Sequence, residues 1–387
     1  DGLISDEERY TKLIELWEGV TRKVEKAIEK NFGASESITD MAVSGARGSI
    51  GQLNQMAGMK GIIVNTKGRP IDFPVISSYK EGLSPIEYFI TNHGSRKGLA
   101  DSALNTANAG YLTRKLIMAS QDIVITEIDC GTKKGLVLKE ETVDGIVKPI
   151  TKHLFGRILA DTLKNAAGDI IFKKGHLITK NDMKIIDKEH ITDAVVRSPL
   201  SCETNYGLCQ FCYGLDLGRN NLVKFGEAVG IVSAQAIGEP GTQLTLRTIH
   251  SGGVLGSDIT MGLPRVSELL ECRSSKFPAT ISRVDGDVID VRVEGETKII
   301  HVLADNAKAA NGEKNFEYVV TIPRKKKKKK GSRVKKGDLL TDGSADPHEL
   351  YEIAGFDRVQ EYLIAEISKV YELNSSPISR KHLEIIV

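Results

Sequence analysis

Four cysteines of the sequence have the types and spacing of a metal site. Cys202, Cys209 and Cys212 follow a C-x6-C-x2-C pattern, and Cys130 stands far upstream. Three clustered thiolates and one remote thiolate can bind zinc tetrahedrally, and a closed shell of four sulfur ligands is typical of structural sites. We predict one structural Zn²⁺ bound by these four residues, with ordinary buried thiols as the alternative. Cys272 has no partner pattern and is expected to be a free thiol.

A long helix is predicted after Ser84. Ser84 can cap the free amides, Pro85 suits the first helical position, and Glu87 completes a capping box. The helical pattern continues to about residue 119. Three glycines lie inside it, at Gly94, Gly98 and Gly110. Because glycine weakens a helix, the rod either bends locally or packs closely at these positions.

A second helical region contains a predicted break. Residues 226–237 have helical spacing, and we expect that helix to end at Gly238-Glu239-Pro240-Gly241. Residues 242–250 can form a short helix, followed by Ser251-Gly252-Gly253. Glycine on both sides of a short helix suits a hinged element.

The rest of the pattern predicts an α+β, multidomain fold. Residues 6–31 form an amphipathic helix, residues 133–200 alternate short apolar runs with turns, and residues 263–271 and 347–372 are helical. Period-two alternation between 276 and 345 predicts strands at 288–293 and 318–322. We expect long helices, a zinc-bound module and a β-rich, barrel- or sandwich-like region.

Composition excludes several classes of protein. Lys and Arg total 53 against 51 Asp and Glu, so any polyanion site must be a local concentration of charge. No apolar run approaches 18 residues, which predicts no membrane helix, and the amino terminus lacks a signal peptide. The ends of the chain suggest a segment of a longer polypeptide, which we expect to be cytoplasmic.

Several segments resemble one family, the largest (beta-prime) subunits of bacterial RNA polymerase. Residues 88–119 resemble its bridge helix, and residues 226–253 resemble the start of its trigger loop. The four cysteines match the family's second zinc site, and residues 337–355 and 381–387 are similar to its carboxyl-terminal region. The resemblance implies this division of the chain: 1–40 rim helix of the secondary channel, 41–83 loop region before the bridge helix, 84–120 bridge helix, 121–219 zinc-binding α+β module, 220–272 trigger loop and flanking helices, 273–345 barrel-sandwich-like region, and 346–387 carboxyl-terminal helical region.

The resemblance implies transfer of a nucleotide onto an RNA 3′-hydroxyl, a reaction governed by positioning and charge neutralisation. Gln243 would bond ribose hydroxyls, and Leu246, where most family members carry Met, would pack on the incoming base. Arg247 would pair with phosphate oxygens, and His250 would donate to the β-phosphate. Without the resemblance, an Arg-x-x-His pair on a helix is usually an exposed surface pair with no functional role.

The long helix would support the template in the same comparison. Small residues at Thr106, Ala107 and Gly110 would let a base pair approach. Four basic side chains would contact phosphates, or simply form a solvated face: Arg96, Lys97, Arg114 and Lys115.

The family's catalytic Mg²⁺ loop, Asn-Ala-Asp-Phe-Asp-Gly-Asp, does not occur in this sequence. Asp285-Gly286-Asp287 lacks the preceding residues and is predicted to be a turn. The resemblance therefore implies that Mg²⁺ is bound by another part of the subunit. It also implies these partners: the rest of beta-prime, the beta, alpha and omega subunits, a sigma factor, template DNA, the RNA–DNA hybrid and nucleoside triphosphates.

Two other functions remain open on the residues alone. One is a non-catalytic, zinc-containing nucleic-acid-binding protein, and the other is an assembly scaffold that contacts only protein. The basic run from Arg324 to Lys336 is either a solvated loop or a nucleic-acid contact.

Overall fold

The computed structural model describes most of the chain, in segments with short gaps between them. The described residues are 5–31, 37–44, 48, 50–65, 69–139, 141–143, 146–148, 150–165, 168–189, 191–250, 262–275, 278–294, 297–305, 315–321, 331–341, 343–373 and 376–387. They fall into two compact units. The first comprises residues 1–112 and 238–263, and the second comprises 113–237 and 264–387.

Helices α1 to α12 are, in chain order, Asp6–Asn31, Ser37–Val43, Ile50–Ala57, Pro85–Ser120, Thr151–Leu154, Lys180–Lys188, Gln210–Tyr213, Val229–His250, Leu263–Leu270, Pro347–Ala354, Phe356–Leu373 and Arg380–Ile386. Strands β1 to β14 are Ile125–Glu127, Leu136–Lys139, Glu141–Val143, Ile146–Lys148, Leu163–Lys164, Ile170–Phe172, Asp193–Val196, Leu208–Cys209, Leu215–Asp216, Asn221–Leu222, Gly286–Glu294, Thr297–Ala304, Asn315–Thr321 and Arg333–Val334. A 3-10 turn occupies Pro199–Ser201. Within the described residues, no helix is both long and apolar enough to cross a bilayer.

The start of helix α4 confirms the predicted capping box. The backbone N–H of Ser84 donates to Glu87 Oε2 over 2.9 Å, and the N–H of Glu87 returns to Ser84 Oγ over 3.4 Å. Glu87 also accepts from the backbone N–H groups of Ile76 and Ser77. The carboxylate therefore ties the helix start to the preceding loop, over a small core of Ile63, Val75 and Ile90.

One face of helix α4 is buried, while the helix also exposes large apolar side chains such as Phe89 and Leu104. Its buried side chains recur at helical spacing: Glu87, Ile90, Thr91, Ala109, Leu112, Leu116 and Ser120. Gly94 and Gly98 are buried, whereas Gly110 is exposed. Among the described residues, an added Cβ at Gly110 would meet no atom within 4 Å, so packing against them does not explain that glycine.

The predicted break after residue 237 is wrong. Helix α8 runs without interruption from Val229 to His250, with Pro240 inside it. Proline removes one helix hydrogen bond and crowds the preceding turn, but the surrounding turns keep their own bonds. Near this weak point, the buried hydroxyl of Tyr371 donates to the carbonyl of Ile237 over 2.7 Å. The glycines at 252 and 253 lie outside the described residues.

The β-rich region, expected to be barrel- or sandwich-like, contains an open four-stranded sheet among the described residues. Strands β13, β12, β11 and β14 pair in that order, all antiparallel, and no barrel closes among the described residues. The inner face buries Val288, Ile300, Val302, Tyr318, Val334 and Leu340.

The predicted turn at Asp285-Gly286-Asp287 is wrong, because strand β11 begins at Gly286 and Asp285 is not in a turn. Gly286 pairs with Ala304, and a Cβ there would overlap the carbonyl oxygen of Leu303. Close strand pairing therefore requires glycine at this position.

The helical region 347–372 is divided by Gly355, whose φ of +85° ends helix α10 before α11 begins. Residues 325–330 of the basic run lie outside the described residues.

Helix α12 buries three polar side chains in the second unit: Lys381, His382 and Glu384. Glu384 accepts from both terminal nitrogens of Arg157 over 2.7 and 2.8 Å and from Ser198 Oγ over 2.8 Å. Burial alone would raise the pKa of Glu384, but the charge and hydrogen bonds of Arg157 outweigh it and hold that pKa below its usual range. Lys381 donates to the carbonyl of Leu215, and burial lowers the pKa of Lys381 to about 7.

The capping box makes the start of helix α4 sensitive to acid. The backbone N–H of Ser84, helped by hydroxyl and backbone donors of Ser77 and Ser84, lowers the pKa of Glu87 to about 2. A carboxylate whose pKa is depressed by folding contributes stability above its unfolded pKa, about 4.3, and loses it as the pH falls towards the folded value. Hydrogen exchange of the first turn, corrected for intrinsic rates, should show protection falling across that window. Glu87→Gln, which keeps an acceptor without the titration, should abolish this pH dependence. Unchanged behaviour of the variant would contradict the assignment.

The Arg157–Glu384 pair should dominate the docking of helix α12. Its side chains are only 2% and 0% exposed, so Glu384→Gln leaves a buried guanidinium without its counter-charge. We expect a loss of about 3–5 kcal/mol in local opening free energy, measured by hydrogen exchange of residues 380–387. Glu361→Gln, in the exposed pair with Arg358, is the matched control and should cost less than about 1 kcal/mol. Equal effects of the two changes would show that the buried pair does not hold the helix.

Candidate metal centre and helix contacts

The four cysteines are brought together by short elements of the second unit. Cys209 ends strand β8, which pairs in parallel with β1, and Cys130 follows β1 by three residues. Cys202 follows the 3-10 turn, and Cys212 lies in helix α7 directly after Cys209. The remote Cys130 therefore reaches the other three through the β1–β8 pairing.

The sulfur atoms fit a tetrahedral metal site. All four Sγ atoms lie within 4.8 Å of one another, and Cys130 and Cys212 are 3.8 Å apart. Four thiolates at a zinc–sulfur distance of about 2.3 Å would be about 3.8 Å apart in a regular tetrahedron. Cys209 and Cys212 are buried, and Cys130 and Cys202 are half-buried. The set has the donor chemistry for Zn²⁺ and the closed coordination of a structural site. Cys272 is exposed and lies outside the cluster.

A buried arginine adjoins the cysteine cluster, and sequence reasoning missed it. Arg197 donates to Cys130 Sγ over 3.2 Å and to Cys212 Sγ over 3.3 Å, and its Nη2 lies 3.7 Å from Cys209 Sγ. The same nitrogen donates to Asp129 Oδ1 over 2.7 Å. Arg197 directly follows strand β7 and belongs to no sequence motif, so only the fold reveals its neighbours.

The predicted nucleotide-facing residues lie on helix α8, and the structure describes only their backbone. The side chains of Gln243, Leu246, Arg247 and His250 fall outside the described residues. Within the first unit, a Cβ added to Gly241 would lie 3.9 Å from Ala109 Cβ and 3.5 Å from Leu263 Cδ1. Helix α8 thus contacts α4 two residues before Gln243, at a position between Ala107 and Gly110.

The predicted template-facing residues of α4 are exposed. Thr106, Ala107 and Gly110 are solvent-accessible, whereas their neighbours Ala109 and Leu112 are buried.

The four basic residues of α4 differ in their surroundings. Arg96 and Arg114 are exposed, whereas Lys97 and Lys115 are half-buried. Lys115 forms a 2.7 Å ion pair with Glu271, and hydrogen bonding by Lys115 lowers the pKa of Glu271. The charge of Lys115 is therefore partly satisfied within the chain.

Two family models match the sequence, and together they cover nearly all of it. The model described as RNA polymerase Rpb1, domain 5, matches residues 82–387, and that of RNA polymerase Rpb1, domain 4, matches residues 4–86. The long helix, the cysteine cluster and helix α8 all lie within the first match.

Curated relatives carry one name, DNA-directed RNA polymerase subunit beta′. The chain is 45% identical over 388 residues to that of Caldanaerobacter subterraneus, covering all of this chain and 32% of the relative. The relative from Caldicellulosiruptor saccharolyticus is 46% identical over 389 residues, which cover 100% of this chain and 33% of the relative. The relative from Geobacillus kaustophilus is 42% identical over 389 residues, which cover 100% of this chain and 32% of the relative. The chain spans about a third of the length of these relatives.

The cysteine cluster should bind metal in a one-to-one ratio. Purified chain should contain one zinc by elemental analysis, and Cys209→Ser should lose most of it because a hydroxyl is a poor zinc ligand. Cys272→Ser is the matched control, since that thiol is exposed and outside the cluster. A parent chain without metal, or full zinc content in Cys209→Ser, would rule out the four-thiolate site.

Proposed function

The chain belongs to the RNA polymerase Rpb1 family, and on that premise we propose that it forms part of the active centre of a DNA-directed RNA polymerase. The reaction is nucleotidyl transfer, in which the RNA 3′-hydroxyl attacks the α-phosphate of a nucleoside triphosphate and pyrophosphate leaves. In this proposal helix α4 is the bridge helix and helix α8 carries the start of the trigger loop.

The observation that carries the proposal is the contact of helix α8 with helix α4. Gly241 adjoins Ala109, so the backbone leading to Gln243 starts beside the segment 106–110. A nucleotide paired on that segment would be within reach of a helix that extends from Gly241. Residues 243 to 250 extend over roughly 10 Å of helix at 1.5 Å per residue, about the length of a nucleoside triphosphate's phosphate chain and sugar.

The proposed roles come from the family resemblance, and the side-chain chemistry suits them. Gln243 bonds ribose hydroxyls through its amide, and Leu246 packs on the incoming base. Arg247 pairs with phosphate oxygens through its planar guanidinium, which matches their geometry better than an ammonium does. His250 donates to the β-phosphate as charge develops on the departing pyrophosphate. Arg247 and His250 are three positions apart in helix α8, so they share one face.

Helix α4 supplies the opposite wall. The exposed small residues Thr106, Ala107 and Gly110 leave room for the template base and the end of the hybrid. Arg96, Lys97 and Arg114 would meet phosphates of the nucleic acid. Lys115 has the weakest case of the four basic residues, because Glu271 already pairs with it.

Helix α8 has a built-in place to bend. The described contacts that anchor its first part reach Gly230, Ser233 and Ile237. Pro240 and Gly241 follow directly, and both lower helix stability. Opening and closing of the distal part over the nucleotide would use this position as its hinge.

Metal ions have two separate roles in the proposal. A structural Zn²⁺ would be held by Cys130, Cys202, Cys209 and Cys212, and it would fix the β1–β8 pairing that supports the root of helix α8. The sequence lacks the aspartate loop that binds catalytic Mg²⁺ in the family, so we assign that ion to another part of beta-prime. The proposed partners are the rest of beta-prime, beta, alpha, omega and sigma, together with template DNA, the RNA–DNA hybrid and nucleoside triphosphates, in the cytoplasm at the nucleoid.

Arg247→Ala tests the proposal in a reconstituted polymerase that contains this sequence. Loss of the guanidinium should slow single-turnover nucleotide addition by about 100-fold or more, while subunit assembly stays normal. Arg219→Ala is the matched control, because Arg219 is exposed and pairs only with Asp216 and Glu227 among described residues. A normal addition rate in Arg247→Ala would favour a scaffold role for helix α8 instead.

A further inference from the structure

We propose that Arg197 is a positioning residue of the metal centre, which holds the thiolates through N–H···S hydrogen bonds and compensates their charge. The inference rests on the proposed Zn²⁺ site. It concerns a residue that neither binds the metal nor belongs to a cysteine motif.

The first support is the geometry of the guanidinium. Arg197 is 5% exposed, and Nη2 lies 3.2 Å from Cys130 Sγ and 3.3 Å from Cys212 Sγ. Its Nε donates to Cys212 Sγ over 3.4 Å, so one thiolate receives two bonds from the planar fork. Hydrogen bonds from a cation to an anion are stronger than neutral ones, and a fork fixes their direction.

The second support is charge. Zn²⁺ with four thiolates carries a net charge of −2, and two of its ligands are fully buried. Removing such charge from water is costly unless an opposite charge lies nearby. Among the described residues whose contacts with the cysteine sulfurs are defined, Arg197 is the cation. The metal, its four thiolates and the guanidinium together would carry −1, and the carboxylate of Asp129 adds −1 on the solvent side. An arginine buried beside uncharged thiols would have only Asp129 to compensate it.

The third support is that Arg197 is held in place from both ends. Asp129, whose side chain is 40% exposed, accepts from Nη2 over 2.7 Å on the solvent side. The backbone N–H of Arg197 donates to the carbonyl of Ile158 over 2.8 Å. The next residue, Ser198, donates to the buried Glu384. The guanidinium and its backbone are therefore held by groups other than the cysteines, as suits a preorganised group.

The consequence is slower loss of metal. Thiolates that accept strong hydrogen bonds have less electron density to offer a competing partner, and their negative charge is retained in the site. Removal of groups that orient metal ligands typically costs 10–100-fold in metal affinity. Arg197 should therefore set the lifetime of the bound zinc rather than its stoichiometry.

The test compares Arg197→Gln with Arg197→Lys in the full 387-residue chain. Zinc release to excess 4-(2-pyridylazo)resorcinol is followed by absorbance. We expect release to be about 10–100-fold faster in Arg197→Gln and intermediate in Arg197→Lys, which keeps the charge but not the fork. Arg219→Gln is the matched control: it removes one arginine charge from the same unit at an exposed position and should release zinc at the parent rate.

A spectroscopic readout separates hydrogen bonding to sulfur from a merely structural effect. Replacement of Zn²⁺ by Co²⁺ gives thiolate-to-cobalt charge-transfer bands. Loss of N–H···S bonds raises the energy of the sulfur electrons, so the bands should move to longer wavelength in both Arg197 variants and stay unchanged in Arg219→Gln. Arg197→Lys keeps a cation in the cavity and provides the measurement if Arg197→Gln does not fold.

The outcomes are distinct. Faster release with shifted cobalt bands supports the role of Arg197. Parent-like release and unshifted bands in the Arg197 variants overturn that role and leave the zinc site intact. A parent chain that binds neither zinc nor cobalt overturns the metal site, and the role of Arg197 with it.

Discussion

The approach of helix α8 to the end of helix α4 is the constraint on which the site depends. A Cβ at Gly230 would overlap the carbonyl oxygen of Ser120, whose hydroxyl donates to the carbonyl of Gly230 over 3.0 Å. Only glycine allows this backbone contact. Gly241 differs, because a methyl group there would meet neighbours at ordinary contact distances. Space therefore does not require glycine at this position.

The second unit buries several charged side chains. Arg157 is paired with Glu384, and Arg197 lies between Asp129 and the cysteine sulfurs. Lys381 lies 4.4 Å over the Tyr213 ring while it donates to a carbonyl. Each charge is compensated by groups from another part of the chain. These pairs are costly to break singly, which makes the packing around the root of helix α8 specific.

The sequence predicted features that depend on interactions between residues close together in the chain. The capping box at Ser84 and the spacing of the clustered cysteines act over a few residues, and the structure confirms the first and brings together the sulfurs of the second. The roles of Arg247 and the other nucleotide-facing residues stay predictions, since they came from the resemblance and their side chains lie outside the described residues. Helix α8 was predicted to break because proline and glycine are weak helix formers. Neighbouring turns and contacts such as that of Tyr371 override this preference.

Pairs that are distant in the chain could not be predicted in this way. Arg157 and Glu384 are separated by 227 positions, and neither carries a motif. Arg197 likewise stands five residues before Cys202 without any pattern that links it to sulfur. The β-rich region was expected to be barrel- or sandwich-like, but period-two alternation predicts only strands and their faces, not how many strands pair or whether the sheet closes.

The distance between Arg157 and Glu384 also has a consequence for biosynthesis. Ribosomes add about 5–20 residues per second, so the 227 positions between the two take roughly 10–45 seconds to translate. During that interval the nascent chain carries a guanidinium destined for the interior with no carboxylate to receive it. The second unit can therefore reach its final packing only when helix α12 has left the exit tunnel.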